Sequence, residues 1–158
     1  MTSTTQLAKH LRDVHFGGNW TTTNLKDLLT DISWQQATQK IAGLNTIATL
    51  TYHTGYFISA LTDVLEGRPL TSKDIYSFDH PPIHNAQDWQ NLIGTTLDNA
   101  EHASRLIEKL PDAILYEDFA NAKYGNYFRN ILGIIEHTHY HLGQISLIKK
   151  LVQRDSKS

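Results

Sequence analysis

Hydrophobic residues recur at helical spacing through most of this chain. Between positions 25 and 32, three leucines and an isoleucine fall at i, i+3, i+4 and i+7, which is the apolar stripe of an amphipathic helix. Thr22 or Thr23 can cap the start of this predicted first helix. A short helical segment is expected before it, with Leu7, Leu11 and Val14 as its apolar positions.

Three longer helices are predicted downstream, over about 45–66, 85–110 and 126–153. Each begins at an asparagine, which is a good N-cap residue. The first two of these helices end at Gly67 and Pro111, which are typical stop signals. The chain is therefore expected to be built mainly from four helices.

The region between the second and third helices has a different character. Residues 68–85 contain three prolines and no sustained period, so we predict a long loop there. No strand pattern competes with the helical one along the chain. The predicted fold class is therefore all-α: an antiparallel four-helix bundle with a long crossover loop, in a single domain over residues 1–158.

Composition narrows the classes of function. The chain has 158 residues, nine histidines, no cysteine and a formal net charge of -2. The lack of cysteine excludes disulfides, thiolate nucleophiles and cysteine-based metal sites, so any metal must use nitrogen or oxygen ligands. No Lys/Arg cluster suggests nucleic acid, and no apolar run approaches the roughly 18 residues of a membrane span. With no signal-peptide pattern, we expect a cytoplasmic protein without nucleic-acid or membrane partners.

Three of the histidines are expected to face the interior. At about 100° per residue, His137 and His141 lie on the same face of the fourth helix as Ile134 and Ile145, whereas His139 points about 160° away from His141. His53 falls on the apolar stripe of the second helix. A divalent metal would satisfy all three rings and leave a position open for water or substrate.

Histidine spacing does not decide between a metal site and ordinary core histidines. His80 and His84 have the same i, i+4 spacing but flank two prolines in the predicted loop, where helical geometry is not expected. From spacing and helical face alone, the histidines are therefore equally well explained as core residues bonded to tyrosine, threonine or backbone carbonyls and as metal ligands.

The fourth helix also matches a known motif. Residues 137–145 read HTHYHLGQI, which resembles the closing helix of the DinB-like (damage-inducible, YfiT-like) family, whose pattern there is H-x-x-x-H-x-G-Q. Residues 45–53, NTIATLTYH, followed by Tyr56 and Phe57, are similar to the family's second helix, where its first metal ligand lies. Residues 20–25, WTTTNL, and 65–67, LEG, fit the same pattern.

The resemblance implies a four-helix bundle with a three-histidine metal site at His53, His137 and His141. The ion would be nickel or zinc, with iron or manganese as alternatives. It also implies a frequent homodimer and activities that are largely linked to low-molecular-weight thiols, namely thiol transferases and thiol-dependent isomerases. Many relatives have arginine before the motif's glycine, where this chain has Leu142, so the rim of the site is expected to differ.

Further residues are weaker candidates for the site. Gln144 lies near His141 on the same face, and Tyr56 lies one turn after His53, so either can bind a ligand or support a histidine. Trp20 can line the cavity. The alternative is core packing or an unrelated hydrogen bond for Gln144 and Tyr56, and plain packing for Trp20.

The expected activity is that of a metal-dependent transferase or hydrolase acting with a small thiol or electrophile. The alternative is a non-catalytic dimer with a structural or vestigial metal site. A second apolar stripe on the fourth helix suggests that a homodimer packs there, although burial within one chain explains it equally well. This stripe comprises Phe128, Leu132, Ile135 and Leu142.

Overall fold

The structure, a computed structural model, describes residues 1–155, so positions 156–158 of the predicted domain lie outside it. The described residues form six α-helices, three short 3-10 helices and a single isolated β-bridge, between Asp118 and Asn126. The predicted all-α class is therefore confirmed. The α-helices are α1 (Ser3–Phe16), α2 (Leu25–Leu29), α3 (Trp34–Thr38), α4 (Ile47–Leu65), α5 (Ala86–Glu108) and α6 (Tyr127–Asp155). The 3-10 helices are Asp74–Tyr76, Asp112–Tyr116 and Ala122–Tyr124.

The first long helix is α1, not the predicted helix over 25–32. The segment expected to be short is 14 residues long and begins at the N-cap Thr2, whose side chain accepts a hydrogen bond from the backbone N–H of Thr5. The 25–32 stripe forms only the five residues of α2, capped by Asn24 rather than by Thr22 or Thr23. The helix is cut short because Ser33 starts α3 through a capping box with Gln36.

The other three long helices lie close to their predicted positions. Asn85 caps α5 through a bond from the N–H of Asp88, as predicted, and α6 begins directly after Asn126. The N-cap of α4 is Thr46 rather than Asn45, and the helix ends one residue before Glu66. Local signals at the helix ends therefore decided these boundaries.

Contacts between side chains give the directions of the helices. Thr4, near the start of α1, bonds Asp112, just beyond the end of α5, so α1 and α5 run in opposite directions. On α4 and α5, the contact of Ser59 with Asn99 is followed by that of Glu66 with His102. These two neighbouring helices therefore run in the same direction, which departs from the wholly antiparallel arrangement expected and is made possible by the long connection of residues 66–85.

The interior is formed where α1 packs against α5 and α6, and α4 packs against the same two helices. Its largest fully buried side chain is Trp89, whose indole N–H donates to the carbonyl of Ile32. α2 packs against α1, α3 against α4, and the 3-10 helix Asp112–Tyr116 against α6. No helix within the described part of the chain is long and apolar enough to cross a membrane.

The predicted loop of residues 68–85 folds against α4. The hydroxyl of Tyr56 donates to the carbonyl of Lys73 and accepts from its N–H, both at 2.9 Å. The 3-10 helix Asp74–Tyr76 follows at once, and Ser77 after it is fully buried. The loop is therefore held where its residues can reach the interior side of α4.

Candidate metal centre

The rings of His53, His137 and His141 meet between α4 and α6. His137 Nε2 lies 3.0 Å from His53 Nε2 and 3.0 Å from His141 Nε2. One ligand atom from each residue lies within 4.8 Å of the other two, so the group could hold a metal ion. His53 and His141 are buried, at 5% and 7% exposure, and His137 is partly buried. The helical faces deduced from the sequence thus bring these three residues together.

The tautomer of His53 follows from its neighbour in the loop. Ser77 Oγ donates to the backbone carbonyl of Asp74 at 2.7 Å, so it accepts from His53 Nδ1 at 2.9 Å. With the proton on Nδ1, the lone pair of Nε2 points toward the other two rings. A hydrogen-bond partner on the outer nitrogen is the usual support of a metal-ligating histidine.

His141 is oriented in the same way from within α6. Its Nδ1 donates to Gln144 Oε1 at 2.6 Å, and Gln144 Nε2 donates to the hydroxyl of Tyr140 at 3.1 Å. The Nε2 lone pair of His141 therefore also points into the cluster. Gln144 thus supports a histidine, which was one of the two roles its position suggested.

His137 has no such support. Its Nδ1 is buried without a hydrogen-bond partner among the described residues, and its Nε2 faces the Nε2 atoms of both other histidines. A proton on His137 Nε2 could serve only one of the two facing lone pairs fully. A divalent cation would accept all three lone pairs at once.

The donor set fits such an ion. Zinc–nitrogen bonds of 2.0–2.1 Å in a tetrahedron place neighbouring nitrogens about 3.3 Å apart, close to the spacing seen here. The rings are also mutually inclined, at 52° between His53 and His137 and 77° between His137 and His141, so their nitrogens converge instead of the rings stacking. Three imidazoles leave at least one tetrahedral position to another ligand.

The surroundings keep the three rings neutral. Burial, and after it charge repulsion from the neighbouring His141 and His53, lower the pKa of His137 to about 4. Burial is also the main cause of the lowered pKa of His53 and of His141. Because only a neutral imidazole can bind a metal, all three are ready to act as ligands near neutral pH.

Aromatic side chains surround the cluster. Phe78 stacks on the ring of His53, with centroids 4.1 Å apart, and remains 42% exposed. Phe57 makes edge contacts with His53 and His137, at 5.1 Å and 5.0 Å between centroids. The rings of Tyr140 and His141 are nearly perpendicular, with centroids 5.0 Å apart. These rings limit the access of water and so strengthen electrostatic interactions at the cluster.

Other predicted candidates lie elsewhere. Tyr56 bonds Lys73 and contacts the edge of Phe57, so it touches the loop and a neighbour of the cluster rather than the histidines. Trp20 is 99% exposed and borders a surface recess with His139, on the side of α6 away from His141.

Two further histidines differ in their surroundings. His15 is fully buried, and its Nδ1 donates to the carbonyl of Leu11. His80 bonds the carbonyl of Pro81 next to it, and its ring contacts Tyr52. Neither belongs to the cluster of three.

Sequence reasoning missed Ser77 and Phe78. Both lie in a loop without periodicity, so no pattern assigns them a direction, and their contacts with His53 depend on how the loop folds back on α4. The one available signal was Tyr56, one turn after His53, whose hydroxyl bonds the loop at Lys73.

Comparison with known proteins adds no assignment. No family model, curated protein or solved structure matches this chain. Its function must therefore be inferred from the geometry of the site.

Proposed function

We propose that the chain binds one divalent metal ion through the Nε2 atoms of His53, His137 and His141. The single observation behind this proposal is the convergence of these atoms, with spacings of 3.0 Å from His137 to each of the others. The outward nitrogens of His53 and His141 have acceptors, so their inward lone pairs are fixed.

Nickel or zinc is the proposed ion, with iron or manganese as alternatives. Imidazole suits several divalent metals, and affinity within a nitrogen site generally rises from manganese through iron to nickel. When bound, such an ion supplies a Lewis acid that makes a thiol or a water molecule more acidic near neutral pH. The chain itself orients the ligands through Ser77 and Gln144 and shields the site with Phe57, Phe78 and Tyr140.

We further propose a metal-dependent transferase or hydrolase that acts with a low-molecular-weight thiol. The resemblance of residues 137–144 to the DinB-like pattern supports this proposal, and so does the contact of the motif's Gln144 with His141. The four long helices would then form one bundle, with α6 antiparallel to α4 and the loop of residues 68–85 crossing between α4 and α5.

A homodimer is also proposed, on the exposed part of the second apolar stripe. Ile135 and Leu142 are buried within the chain, at 6% and 2% exposure, whereas Phe128 and Leu132 remain 40% and 36% exposed. Of this stripe, only the part near the N-terminus of α6 is therefore exposed to a second copy. Sedimentation at micromolar concentration tests this, and a monomer would contradict it.

Metal analysis of untagged protein tests the centre itself. We expect close to one ion per chain in the wild type and in His139→Ala, since His139 lies on the other side of α6. His137→Ala should lose the ion. Equal metal content in wild type and His137→Ala would refute the site.

Chelation separates an enzyme from the non-catalytic alternative. If the ion serves a reaction, its removal should abolish turnover of thiols with electrophiles while the helices stay folded, as read by circular dichroism. A structural ion would instead give a large drop in melting temperature on chelation. That result, together with no turnover by metal-loaded protein, would favour the non-catalytic alternative.

A further inference from the structure

A cavity of about 210 Å³ lies beside the candidate metal centre, between α4, α6 and the segments that cover them. We call it the Phe57 cavity. Its main apolar lining residues are Phe57, Ala60, Leu61, Leu70, Phe119 and Ile134.

The cavity shares a wall with the metal centre. Phe57 contacts the rings of His53 and His137 by its edge and also lines the cavity. Ile134 lies three residues before His137 and so lies next to it on α6. The cavity and two of the three histidines are therefore both in contact with Phe57.

The walls are formed before any ligand binds. Ala60, Leu61 and Phe119 are 6%, 2% and 4% exposed, so their positions are fixed by packing within the chain. Tyr124, which is 39% exposed, borders the side open to solvent. A preformed apolar cavity with an open side is typical of a small-molecule site.

The chemistry of the lining limits what can bind. None of its described residues is charged, and the amide group of Asn130 already donates to the carbonyls of Tyr124 and Asn126. A phosphate or carboxylate would therefore find no cation there, only the hydroxyls of Ser72 and Tyr124, and would lose hydration. An engineered apolar cavity of about 150 Å³ accommodates benzene, so this one is large enough for a phenyl ring or a short alkyl chain.

We propose that the Phe57 cavity binds the apolar body of a substrate whose reacting group meets the metal centre, with Phe57 as a specificity-determining residue. The inference rests on the proposed metal site and adds the substrate class: an uncharged aromatic or aliphatic group attached to the reacting function. A charged substrate body would be selected against.

Two hydroxamates that differ only in their apolar body test this on metal-loaded, untagged protein. Acetohydroxamate has a metal-binding group and a methyl, whereas phenylacetohydroxamate adds a phenyl ring. We expect the phenyl compound to bind at least tenfold more tightly to the wild type. In Ala60→Leu, which fills the cavity, this preference should fall below threefold while acetohydroxamate binding is unchanged.

Ser59→Leu is the matched control. Ser59 precedes Ala60 on α4 but lines a different recess, with Tyr52 and Asn99. The Ser59→Leu protein should therefore prefer the phenyl compound as strongly as the wild type does. Equal affinity of the wild type for both hydroxamates would overturn the proposal, and so would a preference retained in Ala60→Leu.

A second measurement does not depend on that variant's folding. Toluene added to metal-free wild-type protein should shift the methyl resonances of Leu61 and Ile134 but not that of Leu92, which lines the other recess. Shifts absent at Leu61 and Ile134 would overturn the proposal. A protein without metal would fail the metal analysis and would not bind acetohydroxamate, which identifies failure of the metal centre separately from failure of the cavity.

Discussion

Ser77→Ala is expected to weaken metal binding without touching a ligand. Ser77 is fully buried and accepts the proton of His53 Nδ1 at 2.9 Å, so no solvent molecule can readily replace its hydroxyl. In the metal-free variant, His53 can move its proton to Nε2 and donate to His137 Nε2, which lies 3.0 Å away. When an ion is bound, His53 cannot move its proton in this way, because Nε2 must be unprotonated to coordinate the ion. The unpaired, buried Nδ1–H of His53 therefore destabilises mainly the metal-bound state.

An unpaired buried donor costs about 1–3 kcal/mol, and loss of an outer partner of a ligating histidine typically weakens affinity by about 10–100-fold. We expect a loss in that range for Ser77→Ala, which corresponds to about 1.4–2.7 kcal/mol. Competition for zinc against a chromophoric chelator at pH 7.5 measures it directly.

Ser104→Ala controls for the deletion of a buried serine hydroxyl. Ser104 is also fully buried, but its hydroxyl donates to the carbonyl of Ala100 within its own helix, α5. Its zinc affinity should equal that of the wild type. If Ser77→Ala binds zinc within twofold of Ser104→Ala, the orienting role of Ser77 is refuted.

Two further predictions concern stability. A Cβ added at Gly55 would lie 2.9 Å from the hydroxyl oxygen of the buried Thr96, so Gly55→Ala should lower the free energy of unfolding by about 1–3 kcal/mol. A Cβ at Gly94 would meet open space, so Gly94→Ala should raise the free energy of unfolding by about 0.5–1 kcal/mol, as measured by urea denaturation. A stabilised Gly55→Ala would contradict the close packing of α4 on α5. Burial lowers the pKa of His15 to about 4 from an unfolded value of 6.5, so the unfolded chain binds more protons and stability should fall by about 3 kcal/mol as pH drops from 6.5 to 4. His15→Met should remove that part of the pH dependence, and an unchanged slope would refute it.

The hydrophobic pattern was sufficient for helices with strong end signals but not for the N-terminal region. Asn85 and the apolar stripe after it predict a helix, and the structure has α5 there with Asn85 as its N-cap. The helix Ser3–Phe16 was underestimated because part of its stability comes from Asp112, which accepts from the N–H groups of Ser3 and Thr4 across 108 or more residues. No local window contains that contact. Tertiary contacts of this kind routinely override a weak local pattern.

The hydrophobic periodicity also could not predict in which direction α5 runs relative to α4. A stripe reports which face of a helix is buried but not which way its neighbour runs. The close approach at Gly55 and the contact of Ser59 with Asn99 set α4 and α5 side by side in the same direction. A connection of 20 residues between the two helices, from Glu66 to Asn85, is long enough to return to the starting end.

At the site, too, residues on helices could be predicted from the sequence and residues in the loop could not. The face arithmetic brought His53, His137 and His141 together because all three lie on regular helices, where direction follows from residue number. Spacing alone would have paired His80 with His84, yet His80 bonds the carbonyl of Pro81 in the loop.

The orientation of His53 depends instead on the loop. Tyr56 bonds both backbone groups of Lys73, and the turn that follows places Ser77 on His53 and Phe78 over its ring. His53 is thus fixed by a segment outside its own helix, whereas His141 is fixed by Gln144 of its own helix. If the loop opens, His53 loses both its acceptor and its stacked ring, while His137 and His141 keep their positions. Metal binding and the order of residues 73–78 are therefore expected to be coupled, and the ion should protect the backbone N–H of Ser77 from hydrogen exchange more than that of Ser104.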